Sequence, residues 1–191
     1  MDKLFGNLHR VLLVGVILAI VVAVIRHLGQ LGDPSFWAFV IRWIHVWFGI
    51  LWIGLLYYFN FVQIPSMPKI PDEHKPAIGK VIAPAALFYF RWAAAGTVLF
   101  GLLTIIMDGN HSAFIFQGGY ATIGIGMWLA LIMAFNVWFI IWPNQKKALG
   151  LVEADADTKK KAARIAMLAS RTNTLLSIPM LYCMVAQGNV G

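Results

Sequence analysis

Five apolar stretches, each close to the length that crosses a bilayer, constrain this chain more than any other feature. A hydrocarbon core of roughly 30 Å takes about 20 apolar residues as a helix. Val11 to Ile25 carries no polar side chain at all, and its flanks extend it. Phe36 to Val62, Val81 to Met107, Tyr120 to Trp142 and Ile165 to Val185 are the other four. Of the 191 residues, 60% are hydrophobic and 12% charged, whereas soluble domains run nearer half and a quarter. A chain this short lacks the interior to bury that surplus, so lipid must solvate much of it. A water-soluble enzyme, a disordered protein and a disulfide scaffold are excluded. The single cysteine, Cys183, lies inside an apolar run, where it serves packing. No Cys-x-x-Cys-His is present to attach a c-type haem covalently.

The pattern predicts an all-α integral membrane protein, a bundle of five transmembrane helices in one domain over residues 1–191. The helices are expected at about 11–27, 36–62, 81–107, 120–142 and 165–186, with cytoplasmic loops at 63–80 and 143–164. Asp33-Pro34-Ser35 supplies the second helix with a cap and a first-position proline. Pro143 is expected to end the fourth helix and Pro179 to kink the fifth. Pro65, Pro68 and Pro71 suggest a short extended turn, and residues 151–164 a polar helical lead-in to the fifth helix. Trp37, Trp128 and Trp142 sit near segment ends, as interfacial aromatics do.

The formal charge of +7 reports topology rather than nucleic acid, because the basic residues flank the apolar segments. Lys3 and Arg10 precede the first helix; Lys69, Lys75 and Lys80 lie between the second and third. Lys146, Lys147, Lys159, Lys160, Lys161 and Arg164 lie between the fourth and fifth. The loop from Asp108 to Gly119 has no Lys or Arg. The positive-inside rule then places the amino terminus in the cytoplasm and the carboxyl terminus in the periplasm, in a bacterial inner membrane. Residues 1–27 carry no small-x-small cleavage site, so the first helix is expected to be retained. The lysines of 151–164 could touch anionic lipid heads, but a solvated topology signal is the simpler reading.

Ionisable side chains at membrane depth are expensive and therefore informative. His45 falls about ten residues into the second helix, roughly 15 Å along its axis. It shares a stripe with Arg42, Gly49, Trp52, Leu56 and Asn60. A neutral imidazole facing a bundle interior can be an axial ligand for haem b, with Gly49 clearing space and Trp52 shaping the pocket. It can equally donate a hydrogen bond to a neighbouring helix. For a second ligand, His111 or His27 would have to reach inward. Nearer the cytoplasm lie Arg91, Arg171, Asn136 and Asn173, which suit a planar anionic substrate or haem propionates. The alternative is interhelical hydrogen bonding with snorkelling arginines. Ala93-Ala94-Ala95-Gly96, Gly124 and Gly126 read as sites of close helix approach.

Three ordered motifs carry a family resemblance. Arg42-Trp43-Ile44-His45-Val46-Trp47-Phe48-Gly49-Ile50-Leu51-Trp52-Ile53-Gly54-Leu55-Leu56-Tyr57-Tyr58-Phe59 resembles the first signature of the membrane domain of bacterial membrane-bound urate oxidases. Asn136-Val137-Trp138-Phe139-Ile140-Ile141-Trp142-Pro143-Asn144-Gln145-Lys146-Lys147 is similar to the second, and Ser170-Arg171-Thr172-Asn173-Thr174-Leu175-Leu176-Ser177-Ile178-Pro179-Met180 to the third. The resemblance implies a membrane module that oxidises urate, or supports its oxidation, and passes electrons to a c-type cytochrome on the outer side. No cytochrome lies within these residues, so a separate c-type cytochrome or a larger membrane enzyme complex is the expected partner. A non-catalytic accessory subunit of such a complex is the rival reading.

Overall fold

A computed structural model describes residues 2–190, which are helical with no strand among them. The chain divides into two compact units, residues 1–40 and 41–191. Four helices are long and apolar enough to cross a membrane: α1 (Leu8–Gln30), α2 (Pro34–Lys69), α3 (Lys75–Asp108) and α4 (Ala121–Ala148). A further helix, α5 (Ala156–Ala186), is long enough, but its first half is strongly basic and lowers its hydropathy below the other four. The polar stretch expected as a helical lead-in forms its opening turns from Ala156 onward.

In the first unit, the Asn7 side chain accepts from the Arg10 N–H at 3.3 Å and starts α1. The Asp33 carboxylate accepts from the Ser35 N–H at 2.8 Å, directly before Pro34 opens α2. Asp33 and Pro34 thus act as their order in the sequence predicts.

α2, α3 and α4 run past their expected ends because of one repeated device. Each holds a widened π turn, at Tyr58–Gln63, Ile78–Ile82 and Asn136–Ile141. In every case the second residue after the turn is a proline: Pro65, Pro84 and Pro143. A proline lacks an N–H and its ring crowds the carbonyl four residues back. Lengthening the hydrogen bond to five residues, as Ile64 to Phe59, Ala83 to Ile78 and Trp142 to Val137 do, opens the turn where that clash would fall. Pro143 therefore does not end α4, which continues to Ala148. Pro65 and Pro68 likewise lie within α2, and the first extended residue is Ile70 (φ −89°, ψ 127°). Pro179 sits inside α5, which runs through it without a π turn.

The second unit is held by α5 packed along α4. The buried face of α5 is a ladder of mostly small residues: Ala162, Ala166, Ser170, Asn173, Ser177, Met180, Cys183 and Ala186. Small side chains let backbones approach, which in lipid replaces the hydrophobic drive that water supplies elsewhere. A Cβ added at Gly126 would stand 2.9 Å from Cys183 Cβ, and one at Gly124 only 2.2 Å from the Ala113 carbonyl oxygen. A Cβ at Gly96 would stand 2.6 Å from the Phe48 ring. The glycines singled out in the sequence thus mark real contacts. Between these walls, α2 and α3 close the core through Trp52, Leu56, Phe59, Leu87, Phe90 and Ala94.

The Gly124→Ala variant is expected to lose about 1–3 kcal/mol, because the backbone of the 113–116 turn cannot yield like a flexible side chain. Gly54, with nothing within 4 Å, should accept alanine without loss; thermal unfolding in detergent compares the two. At the start of α5, the Asp155 carboxylate accepts from the Thr158 hydroxyl and N–H, which hold its pKa below the ordinary range. Its contribution to stability is therefore present above that range and lost as pH falls through and below about 4. The protection of the Thr158 and Lys159 amides, taken relative to their intrinsic exchange rates, should fall across that window, and Asp155→Ala should lower it at neutral pH.

Candidate functional site

At the end of the second unit that carries the loop 109–120, α2, α3, α4 and α5 surround a cavity of about 410 Å³, within the range of small-molecule and cofactor sites. Its walls include His45, Thr97, Gly101, Met127 and Met184. The rim is polar, with Asn110, Tyr120 and Gln187 beside the ion pair of Arg42 and Asp108, whose charged atoms are 2.5 Å apart. That pair joins the start of α2 to the last residue of α3, where Gly109 in the left-handed region (φ 69°) ends the helix. Gln187 secures the opposite side, accepting from the Ile123 N–H at 3.1 Å and donating to the Gly119 carbonyl at 3.3 Å.

His45 is partly buried, and its Nδ1 lies 2.8 Å from the Thr97 carbonyl oxygen. A carbonyl only accepts, so Nδ1 carries the proton, and in the neutral ring Nε2 keeps its lone pair. The hydrogen bond to a neighbouring helix, weighed from sequence as the alternative to ligation, is therefore present, and it leaves the second ring nitrogen free. Thr97 in turn donates its hydroxyl to the Ala93 carbonyl at 2.7 Å. The ring has room because of Gly101, where a Cβ would stand 3.0 Å from His45 Cε1 and Nδ1. Sequence reasoning assigned that role to Gly49, one turn along the same helix. The clearing residue sits instead on the facing helix, a position that helical periodicity within α2 cannot reveal.

The remaining sequence candidates are dispersed. Gly49 and Trp52 do not line the cavity; Trp52 is fully buried in the core. His111 is exposed in the 109–120 loop and is not a wall residue, although Asn110, Ala113 and Phe114 are. His27 belongs to the first unit, where its Nδ1 donates to Gln30 Oε1 at 2.9 Å and its ring packs on Phe36.

Arg91, Arg171, Asn136 and Asn173 line no part of the cavity. Asn136 donates to Asn173 Oδ1 at 2.9 Å, and Asn173 donates to the Met133 carbonyl at 2.9 Å. This locks α4 to α5 at the start of the Asn136–Ile141 π turn. Asn60 donates to Ser170 Oγ at 2.8 Å, and Tyr57 donates to Ser177 Oγ at 2.9 Å, since Ser177 gives its own proton to the Thr174 carbonyl. Ser170, Asn173 and Ser177 of α5 are therefore engaged by neighbouring helices. Arg91 lays its guanidinium 3.3 Å from the centroid of the Trp142 ring, which draws that tryptophan into the α3–α4 seam. Arg171 is exposed on the face of α5 opposite Asn173.

Among the described residues there is no group of three or more His, Cys, Asp or Glu that would hold a bare metal ion. A cofactor with its own metal needs fewer protein ligands, and His45 is placed to give one. Residues 92–189, just over half of the chain, match the family model described as urate oxidase N-terminal. The chain belongs to the urate oxidase N-terminal family. No curated protein and no solved structure matches this family member. The matched span holds the motifs at 136–147 and 170–180, together with Thr97, Gly101, Met127 and Met184 of the cavity. His45 and Arg42 precede it, so within the urate oxidase N-terminal family their assignment here rests on geometry.

Asn173→Ala removes two interhelical hydrogen bonds, each worth about 0.6 kcal/mol on average and up to about 1.7 in membrane bundles. Its unfolding midpoint in detergent should fall accordingly, while the cavity at the other end keeps whatever it binds.

Proposed function

We propose that this chain is the membrane module of a urate-oxidase-type electron-transfer system and that its cavity would hold haem b, with His45 as the protein ligand to its iron. The observation that carries the reading is the Nδ1–H bond to the Thr97 carbonyl within a mostly apolar cavity. That bond fixes the tautomer and raises the basicity of Nε2, as outer partners of metal-binding histidines do. Haem b would supply reversible one-electron transfer there. Met127, Ala130 and Leu131 give an apolar wall that excludes water, and the Arg42–Asp108 pair sets charge at the rim.

In the membrane, the proposal has five spans. α5 lies along α4 and crosses beside it, its basic first half remaining at the cytoplasmic face with the other lysines. The cavity is at the opposite end and therefore faces the periplasm in an inner membrane, with the amino terminus cytoplasmic. Electrons drawn from urate or a quinol-type donor would leave there for a separate c-type cytochrome. A second reading, a non-catalytic subunit of a larger membrane oxidoreductase, draws support from the exposed position of His111, which leaves the cavity without a second imidazole among the described residues.

The deciding measurement is a dithionite-reduced minus oxidised absorption spectrum of the detergent-purified chain, with haem quantified per chain. A b-type spectrum near one haem per chain is expected. His45→Ala should abolish it with the helical circular dichroism intact, and Gly101→Val, which crowds the ring, should reduce it. Full haem retention in His45→Ala removes the ligand assignment. A colourless, folded bundle recovered in fixed ratio with a larger enzyme establishes the second reading.

A further inference from the structure

The exposed face of α5 carries an arrangement that the redox reading does not use. Lys161, Arg164, Leu168, Arg171, Leu175, Ile178 and Tyr182 recur at helical spacing and are all exposed. The opposite face is the buried ladder of small residues, so packing within the second unit fixes the orientation of α5 and leaves this stripe uncovered by the rest of that unit. Arg164 and Arg171 stand two turns apart, roughly 10 Å along the axis. Beyond Arg171 the stripe is apolar: Leu175, Ile178 and Tyr182 are each about two-thirds exposed, at 66%, 67% and 66%.

Neither arginine has a carboxylate partner among the described residues, where the two ion pairs are Arg42–Asp108 and Lys75–Asp72. Asp157, also exposed, lies one turn before Lys161 on the same stripe and makes no ion pair among the described residues, and Asp155 is engaged with Thr158 at the helix start. A guanidinium flanked by Leu168 and Leu175 on a membrane helix needs a counter-charge close by. A phosphodiester supplies one, and the guanidinium fork matches its oxygens. The apolar continuation of the stripe matches the acyl chains that a phospholipid carries below its headgroup.

We propose that the exposed face of α5 is a binding site for an anionic phospholipid, its phosphate held by Arg164 and Arg171 and its chains laid along Leu175, Ile178 and Tyr182. Lys161 adds positive potential at the headgroup. The site depends on α5 lying beside α4 in the bilayer and not on haem, so a colourless protein leaves it standing. It also gives Arg171 a role that a substrate site does not, since Arg171 is outside the cavity.

The test reconstitutes the full chain in phosphatidylcholine vesicles and compares spin-labelled phosphatidylglycerol with spin-labelled phosphatidylcholine for the motionally restricted fraction. The wild type is expected to favour phosphatidylglycerol about three- to tenfold. Arg164→Gln with Arg171→Gln should bring the ratio close to one, whereas the Lys pair, with the charge kept at both positions, should retain most of it. Lys146→Gln with Lys147→Gln removes the same formal charge elsewhere on the basic end and should leave the preference in place. Equal loss in both Gln pairs would mean a diffuse basic surface and overturn the site. An unchanged ratio in the Arg164/Arg171 pair overturns it too, and leaves that face for an acidic protein partner. Both arginines are exposed, and matching circular dichroism and size-exclusion profiles verify that each variant is folded.

Discussion

The close seam between α4 and α5 is the constraint on which the second unit depends. Lipid offers no hydrophobic reward for bringing two apolar helices together, so contact must come from packing and hydrogen bonds. Gly126 meets Cys183 with no space for a side chain between them, and Asn173 ties itself to Asn136 and to the Met133 carbonyl. A helix bound that tightly cannot rotate. Its buried ladder therefore dictates which residues face outward, and it places Met184 and Gln187 at the cavity. Both the candidate redox site and the basic outer stripe depend on that single registration.

The three π turns form a second layer of organisation. Each one accommodates a proline that would otherwise break or kink its helix, and each lies toward the end of the bundle away from the cavity. The Asn136–Ile141 turn does more than absorb Pro143. It begins where Asn173 reaches across to α4, so a backbone irregularity and an interhelical bond coincide. Trp142, the residue before Pro143, lies against Arg91. The guanidinium is stacked on that aromatic face, while its Nη1 is buried without a hydrogen-bond partner.

The cavity owes its character to α2 and α3 together. α2 contributes the imidazole, and α3 contributes the carbonyl that fixes the tautomer, the glycine that admits the ring and the aspartate that pairs with Arg42. Periodicity within α2 identifies His45 as inward-facing and places Trp52 and Leu56 on the same stripe, where both are fully buried. It cannot distinguish a wall of the cavity from the core below it. That is why Gly49 and Trp52 read as pocket residues and are not, and why nothing in the pattern of α2 points to Gly101 and Thr97.

Composition and run length alone required long apolar helices, four of which are long and apolar enough to cross a membrane, where a backbone must satisfy its own hydrogen bonds. Local chemistry also determined the cap at Asp33 and the need for small residues at Gly124 and Gly126. Three ordered motifs carried the family resemblance, and two of them fall inside the span that the family model matches. Only the tertiary structure decided how the polar groups are shared out. A side chain such as Asn173 or Arg171 has the same donors wherever it stands. Whether those donors are spent on a neighbouring helix or left facing outward depends on the rotation of α5, and that is set by its packing on α4. The prolines teach the same point: Pro143 prescribes a disturbance in the helix, but the surrounding contacts determine that the disturbance is a widened turn and not an end.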